Sequence, residues 1–412
     1  MKTLFIVVES LDINKSSGAK ANFALIQNLA SLGYKIKVLH YSKKHVQLKG
    51  VKLVEINENK FSLLYILSRF QRVISRWLKI DFSAILENLF GHSFTFFNDC
   101  NSIKSTVVKN YSNEDLIITL SQGASFRPHY ALLKLPNFHS KWLAYVHDPY
   151  PFHYYPRPYN WVEKGYRFKE TFFRQVSEKA KFSAFPSKLL KEWMGSYFPN
   201  FLKTGIIIPH QNFDLKQESI EENPDYFDPV KFNLLHAGNL MKQRDPIGLI
   251  EGYKLFLLKN PEAKLNSKLI LLGPGGYHKT YLEENLCDNI YWSKGSVAFN
   301  EVSHIQSKIS VNIILESKSE ISPFLPGKFP HCVMANKPIL HLGPYYSETR
   351  NLLGKDYYYT IESDKINEIC DKISSLYDNW KKDINQNLNR QDLIDYLSAD
   401  NLSISIKKIL ND

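Results

Sequence analysis

The chain has 412 residues, of which 44% are hydrophobic, 23% charged and 14% aromatic. That length exceeds what one hydrophobic core organises and calls for two or three domains, with a composition ordinary for a folded soluble protein. The net charge of +11 implies an anionic partner, while four scattered cysteines with no CxxC or His/Cys cluster exclude a zinc site and a disulfide framework and read as reduced thiols of a cytosolic compartment.

Thr3–Val8 is a continuous apolar run, the mark of a strand buried on both faces. The run is too short for a signal peptide and breaks at Glu9. No uncharged apolar stretch of about 18 residues is present to span a bilayer. A loop with Ser16, Ser17 and Gly18 follows, then helical spacing over 21–34 with Gly33 as a C-cap, then a strand at Lys35–His40. This strand–loop–helix–strand start predicts a doubly wound parallel sheet. From Phe61 to Lys79 the sequence FSLLYILSRFQRVISRWLK carries Arg69, Arg72, Arg76 and Lys79 and no acid, with apolar residues at near-helical spacing. Such a basic amphipathic helix suits an anionic membrane surface; a core helix with a solvated basic face is the alternative. Asp115–Leu120, Trp142–Val146, Phe182–Phe185 and Gly205–Ile208 are further strands, with Leu189–Met194 helical. After the Trp142–Val146 strand, His147-Asp148 opens a Tyr-rich loop stiffened by Pro149, Pro151, Pro156 and Pro158.

Residues 210–230 are polar and acid-rich and read as a linker. Beyond them the strand–helix rhythm restarts: a strand at Phe232–His236, a turn at Ala237-Gly238-Asn239, a helix at Pro246–Leu258, a strand at Lys268–Leu272 ending in GPGG, and strands at Asn289–Trp292 and Val311–Leu315. A polar loop then carries Gly327 and Lys328 into a helix, and a strand at Pro338–Leu342 ends in Gly-Pro. A lysine beside a helix N-terminus after a strand suits phosphate. The expected architecture is α/β: two doubly wound Rossmann-like domains, 1–209 and 231–385, facing a central cleft. A C-terminal helical segment, 386–412, would be able to pack back on the first domain. Ligands of such sheets bind beyond the carboxyl ends of the strands, which puts Ser16–Gly18, His147–Pro151, Gly238–Arg244, Gly273–Gly276, Lys294–Val297 and Ser317–Lys328 on the rim.

The blocks LLHAGNLMKQRDPIGLIEGY, KLILLGPGG, NIYWSKGSV and FLPGKFPHCVMANKPILHLGP, in this order and spacing, resemble the signatures of glycosyltransferases of the GT-B fold. The likeness is greatest to the family-four-like group of bacterial polysaccharide enzymes. The resemblance implies a nucleotide-sugar donor and a leaving diphosphate stabilised by cations without a bound metal or other cofactor. Arg244, or its neighbour Lys242, would face the diphosphate, with Lys328 as the second cation. Gly238 and Asn239 would form the adjoining turn. Gly273 and the turn holding Ser296 and Val297 would approach the nucleotide through backbone groups, and Ser322 lies in the donor loop. The family's two glutamates, eight positions apart, are altered here. His331 stands where the ribose-contacting glutamate is expected and could still hydrogen-bond a hydroxyl. The sugar-contacting one would be Glu320 or Glu316. In the first domain His147 would touch the acceptor or the sugar, Asp148 would serve as base on an attacking hydroxyl, and Gly18 would bring backbone close to a substrate. A general base suggests inversion, whereas the family analogy favours retention.

The resulting expectation is a glycosyltransferase of hexosyl or N-acetylhexosaminyl type in surface polysaccharide biosynthesis. It would be cytoplasmic and peripheral at the inner membrane face through residues 61–79, acting on a glycan or lipid-linked acceptor. A nucleotide-sugar 2-epimerase-like enzyme and a catalytically decayed binding protein are the rivals on the same fold. Nucleic acid is not expected as a partner, since no zinc-finger spacing, RNP-like strand or basic arm occurs.

Overall fold

The computed structural model describes residues 2–13, 16–42, 46–79, 81–123, 125–212 and 222–411. Two units make up the chain: Met1–Tyr155 with Asn160–Phe213 and Ser398–Asp412, and Pro156–Tyr159 with Asp214–Leu397.

In the first unit, β1 (Thr3–Val8), β2 (Lys35–His40), β3 (Val51–Glu55), β4 (Leu116–Leu120), β5 (Trp142–Tyr145), β6 (Phe182–Phe185) and β7 (Gly205–Ile207) form one sheet in the order β3-β2-β1-β4-β5-β6-β7. Every pairing is parallel; Phe5, for example, sits opposite Lys37 on one side and Ile117 on the other. The central strands β1 and β4 are almost wholly apolar and buried because both faces are covered, whereas β2 and the edge strand β3 carry Lys35, Lys37, Lys52 and Glu55. Side chains alternate between the two faces. Phe5, Val7 and Ile117 enter one core with Trp142, Phe173 and Phe185. Leu4, Ile6, Val8 and Ile118 enter the other, which Leu402, Ile406 and Ile409 of the C-terminal helix (Ala399–Asn411) help to close.

The second unit contains β8 (Phe232–Ala237), β9 (Ser267–Leu272), β10 (Ile290–Trp292), β11 (Val311–Leu315), β12 (Ile321–Ser322), β13 (Ile339–Leu342), β14 (Tyr346–Ser347) and β15 (Thr360–Ile361). Six of these form a parallel sheet in the order β10-β9-β8-β11-β13-β15, and β12 pairs with β14. This is the strand order of a dinucleotide-binding fold, with the order reversing between β8 and β11. In the stretch read as a linker, residues 213–221 lie outside the described residues. Tyr226 stacks on Tyr291 at 4.1 Å, and Phe227 is buried beside Leu235 and Ile270 of the second unit's core.

Two local expectations need correction. The first helix, α1 (Ser17–Ser31), begins four residues before the 21–34 pattern, because the Ser16 side chain caps it by accepting from the Ala19 amide at 3.1 Å. Gly18 is therefore in the first helical turn, not in a loop. A β-carbon there would meet Gln122 Cγ at 3.3 Å. The basic helix, α2 (Leu63–Leu78), does not turn its apolar stripe inward, so the core-helix alternative fails. Leu63, Ile66, Phe70, Val73 and Trp77, spaced three and four apart, are between 58% and 83% exposed, while Ser68 and Gln71 on the opposite face are buried. The inward face is polar: Gln71 donates to Ser83 of the next helix, α3 (Phe82–Phe90), at 2.6 Å. Ile85, Leu89 and Phe90 of α3 are exposed as well.

Candidate functional site

Ligands of a doubly wound sheet sit at the switch point, beyond the carboxyl ends of the strands. In the second unit, β8 ends at Ala237, so Gly238 and Asn239 open the loop that carries Lys242 and Arg244. β11 ends at Leu315, so Glu316 opens the segment that runs through Ser322 to Lys328. Parallel β9 and β10 deliver Gly273 and Lys294–Val297 to the same end of the sheet. Gly238 and Gly273 have φ of +157° and +138°. A β-carbon on Gly273 would come within 2.3 Å of the Gly238 carbonyl oxygen, so glycine is what lets the two loops touch.

Lys328 is the centre of this region. Its Nζ lies 3.0 Å from His236 Nδ1 and 3.4 Å from the Ile313 carbonyl oxygen. Burial, and after it the charge of Arg244, brings its pKa down to about 7. Arg244 is half-buried; its Nη1 donates to the Asn239 carbonyl at 3.3 Å, and its buried Nε has no partner among the described residues. Neither cation forms an ion pair with a carboxylate among the described residues. Lys242 is exposed. The helix after Lys328 spans only Phe329–Met334, under two turns. The charge available to an anion therefore rests on the side chains rather than on a helix dipole.

The carboxylates separate clearly. Glu316 is buried, with Oε1 accepting from Ser347 at 3.1 Å and from Thr349, and lying 3.4 Å from His341 Nε2. Burial alone would raise its pKa. His341, then Thr349 and Ser322, hold it below the usual carboxylate range. Glu320 is exposed, and half-buried His331 packs its ring against Phe299 at 5.0 Å. Ser322 is buried, Ser296 exposed, and Val297 packs on the core behind β9. Tyr159, which belongs to the second unit, shares a 2.6 Å hydrogen bond with Ser317.

The first unit's switch point lies between β1 and β4, and its arginine, Arg127, is ion-paired. Arg127 reaches Asp99 at 3.0 Å and Glu9 at 3.5 Å, and donates to Ser125 at 2.6 Å. Burial pushes the Asp99 carboxyl up to about 6 in spite of Arg127. His147 is buried, with Nε2 at 2.7 Å from Asn22 Oδ1 and Nδ1 at 3.2 Å from His210 Nε2. Burial, with His210 and His129 adding to it, keeps the ring neutral. Asp148 retains some solvent access, yet desolvation pushes its pKa up to about 6. Gly18 abuts Gln122 of the same loop cluster. Among the described residues no group of three or more His, Cys, Asp or Glu side chains is placed to hold a metal ion, and no helix is long and apolar enough to cross a membrane.

Sequence reasoning brought Gly238, Arg244 and Lys328 together and missed His236, Asn22 and His210. For His236 the available signal was a histidine in the mostly apolar run FNLLHA, since a polar side chain at a buried strand's carboxyl end needs a partner.

No protein-family model matches the chain, and no curated protein sequence does. Solved structures do. A glycosyltransferase from Rickettsia africae superimposes with a TM-score of 0.61 at 14% identity, covering 100% of this chain and 99% of that one. HepE from Anabaena, in complex with UDP and glucose, gives 0.61 at 11%, covering 100% of both chains. The trehalose-6-phosphate structure from E. coli bound with UDP-2-fluoro glucose gives 0.60 at 10%, covering 100% and 99%. At such identities the likeness is one of fold, and the fold is the two-sheet GT-B type.

Proposed function

We propose that the chain is a glycosyltransferase whose second unit holds a nucleotide-sugar donor and whose first unit presents the hydroxyl of a glycan or lipid-linked acceptor. The carrying observation is the pair Lys328 and Arg244 at the second switch point, two cations with no ion-paired carboxylate among the described residues. A cation withdrawn from water without a counter-ion is costly, as at Lys328, and a diphosphate would supply the missing charge. As the glycosidic bond to the nucleotide breaks, negative charge grows on the departing diphosphate, where Lys328 and Arg244 stabilise it without a metal. UDP and UDP-2-fluoro glucose in the structural neighbours support this chemistry.

The acceptor hydroxyl must lose a proton. In a retaining reaction a donor phosphate oxygen takes it. In an inverting one Asp148, ionised above its pKa of about 6, is the base. The retaining course is our reading, with a hexosyl or N-acetylhexosaminyl group as the transferred sugar and surface polysaccharide as the product class.

We also propose that the enzyme docks at the cytoplasmic face of an anionic membrane through α2 and α3. The exposed stripe of Leu63, Ile66, Phe70, Val73 and Trp77 is flanked by Arg69, Arg72 and Arg76. Each cation near an anionic surface contributes about 1 kcal/mol, and each large apolar side chain taken from water about 1.5–3 kcal/mol. The apolar term therefore dominates, and binding should survive moderate salt in part. Trp77 fluorescence should shift to the blue on vesicles containing phosphatidylglycerol, and F70S/V73S should lose at least ten-fold in vesicle affinity. Unchanged binding by that variant would refute the docking face, and loss of a dimer instead would assign the stripe to a second copy.

The catalytic reading is tested by incubating the protein with a panel of labelled nucleotide sugars and membrane lipid extract. Label moving into lipid or glycan supports it. Epimerised donor without acceptor would assign the chain to the 2-epimerase class instead, and no turnover of any donor would refute it.

A further inference from the structure

His236 ends the buried part of β8 and is fully shielded from solvent. One ring nitrogen, Nδ1, faces Lys328 Nζ at 3.0 Å. The other, Nε2, is buried and has no hydrogen-bond partner among the described residues. An ammonium has only hydrogens to give, so a protonated Lys328 makes Nδ1 an acceptor. A neutral imidazole then carries its proton on Nε2. The ring is kept neutral by burial first and by the charges of Lys328 and Arg244 after it, against the opposing effect of the Ile313 carbonyl. Gly238 lies beside the pair: a β-carbon there would stand at contact distance, 3.5 Å from His236 Nε2 and 3.5 Å from Lys328 Nζ. Both nitrogens thus border the position that a β-carbon at residue 238 would take.

We propose that His236 is a third ligand of the donor's diphosphate, giving its Nε2–H to a phosphate oxygen beside Gly238 while Lys328 fixes the tautomer that makes this possible. The inference rests on the donor-site reading and adds a residue to it. A buried donor left without a partner is destabilising, and a phosphate oxygen supplies that partner. The charged and titratable groups around the pair are Arg244 from the loop after β8, Glu316 from the end of β11, and Cys332 from the short helix after Lys328. Diphosphate binding at pH 8 should therefore draw a proton onto Lys328, and it should draw less at pH 6.

The test uses the full chain and UDP, GDP, ADP and inorganic pyrophosphate as probes in calorimetry. His236→Asn places an acceptor near the Nδ1 position and removes the Nε2 donor. His236→Gln keeps a donor near the Nε2 position. The expected result is a loss of about 10-fold or more in affinity for the Asn variant, most of it restored in the Gln variant, with the Lys328 proton uptake kept in the Asn variant. Equal affinity of wild type and His236→Asn would overturn the inference. If no probe binds the wild type, the donor reading itself fails, which is a separate outcome. Should the variants fold poorly, long-range nitrogen–proton spectra of the wild type decide: the Nε2–H tautomer, perturbed by UDP, is expected, and an Nδ1–H tautomer overturns the proposal.

Discussion

The two switch points have the same strand geometry and opposite electrostatics. In the first unit Arg127 is satisfied by Glu9 and Asp99, and His147 by Asn22 and His210. In the second, among the described residues, Lys328 has only neutral hydrogen-bond partners, Arg244 leaves Nε unpartnered, and His236 leaves Nε2 unpartnered. A charge cluster that closes on itself holds a fold together. One left open is held ready for something else, because unpaired buried polar groups are tolerated where a ligand completes them. The contrast predicts that substitutions in the first cluster act on stability and those in the second act on the substrate.

The largest effect should fall on turnover. Lys328→Ala should reduce sugar transfer by about 100-fold or more with the melting temperature maintained, as initial rates on a nucleotide-sugar donor would show. A merely structural lysine would give the reverse. Arg127→Met should leave two carboxylates without their cation and cost on the order of 3 kcal/mol. Chemical denaturation measures that loss, and nucleoside diphosphate affinity should stay within two-fold.

The third contrast concerns pH. Lys328 has a pKa of about 7 in the folded chain against an ordinary 10.5. Between these values the unfolded chain binds more protons, so this residue makes the empty protein more stable as pH rises from 7 toward 10. Below about pH 7 the full cost of the buried charge is felt. Lys328→Met should flatten that slope in melting curves, whereas diphosphate binding to the wild type should weaken over the same rise, since only the ammonium attracts an anion. A slope unaltered in the Met variant would show that Lys328 is not the titrating group. The smallest effect belongs to Lys242→Ala. This exposed neighbour of Arg244 should change donor affinity less than two-fold by calorimetry, and a loss like that of Arg244→Ala would exchange their roles.

Much of this architecture was legible in the sequence. The strands at Thr3–Val8 and Val311–Leu315 are predominantly apolar runs of the kind a doubly covered sheet demands. Gly238, Arg244 and Lys328 follow strand ends, which in a parallel sheet all open on one side. The helices at Phe94–Asn110 and Tyr166–Lys179 went unseen because polar residues interrupt their stripes. The direction of the α2 stripe was also hidden. Periodicity reports that a helix has an apolar face, but not whether anything covers it. His236 was hidden for a related reason: a strand's alternation shows which side a residue takes, and not that a lysine 92 positions on will meet it.

The most direct measurement is a melting-temperature titration with UDP, GDP and ADP of the wild type and of the Arg244→Ala/Lys328→Ala double variant. A ligand bound only by the native form raises its melting point. At least one diphosphate should shift the wild type by several degrees, and none should shift the double variant. Equal shifts in both proteins, or no shift in the wild type with any of the three, would contradict the donor-site reading.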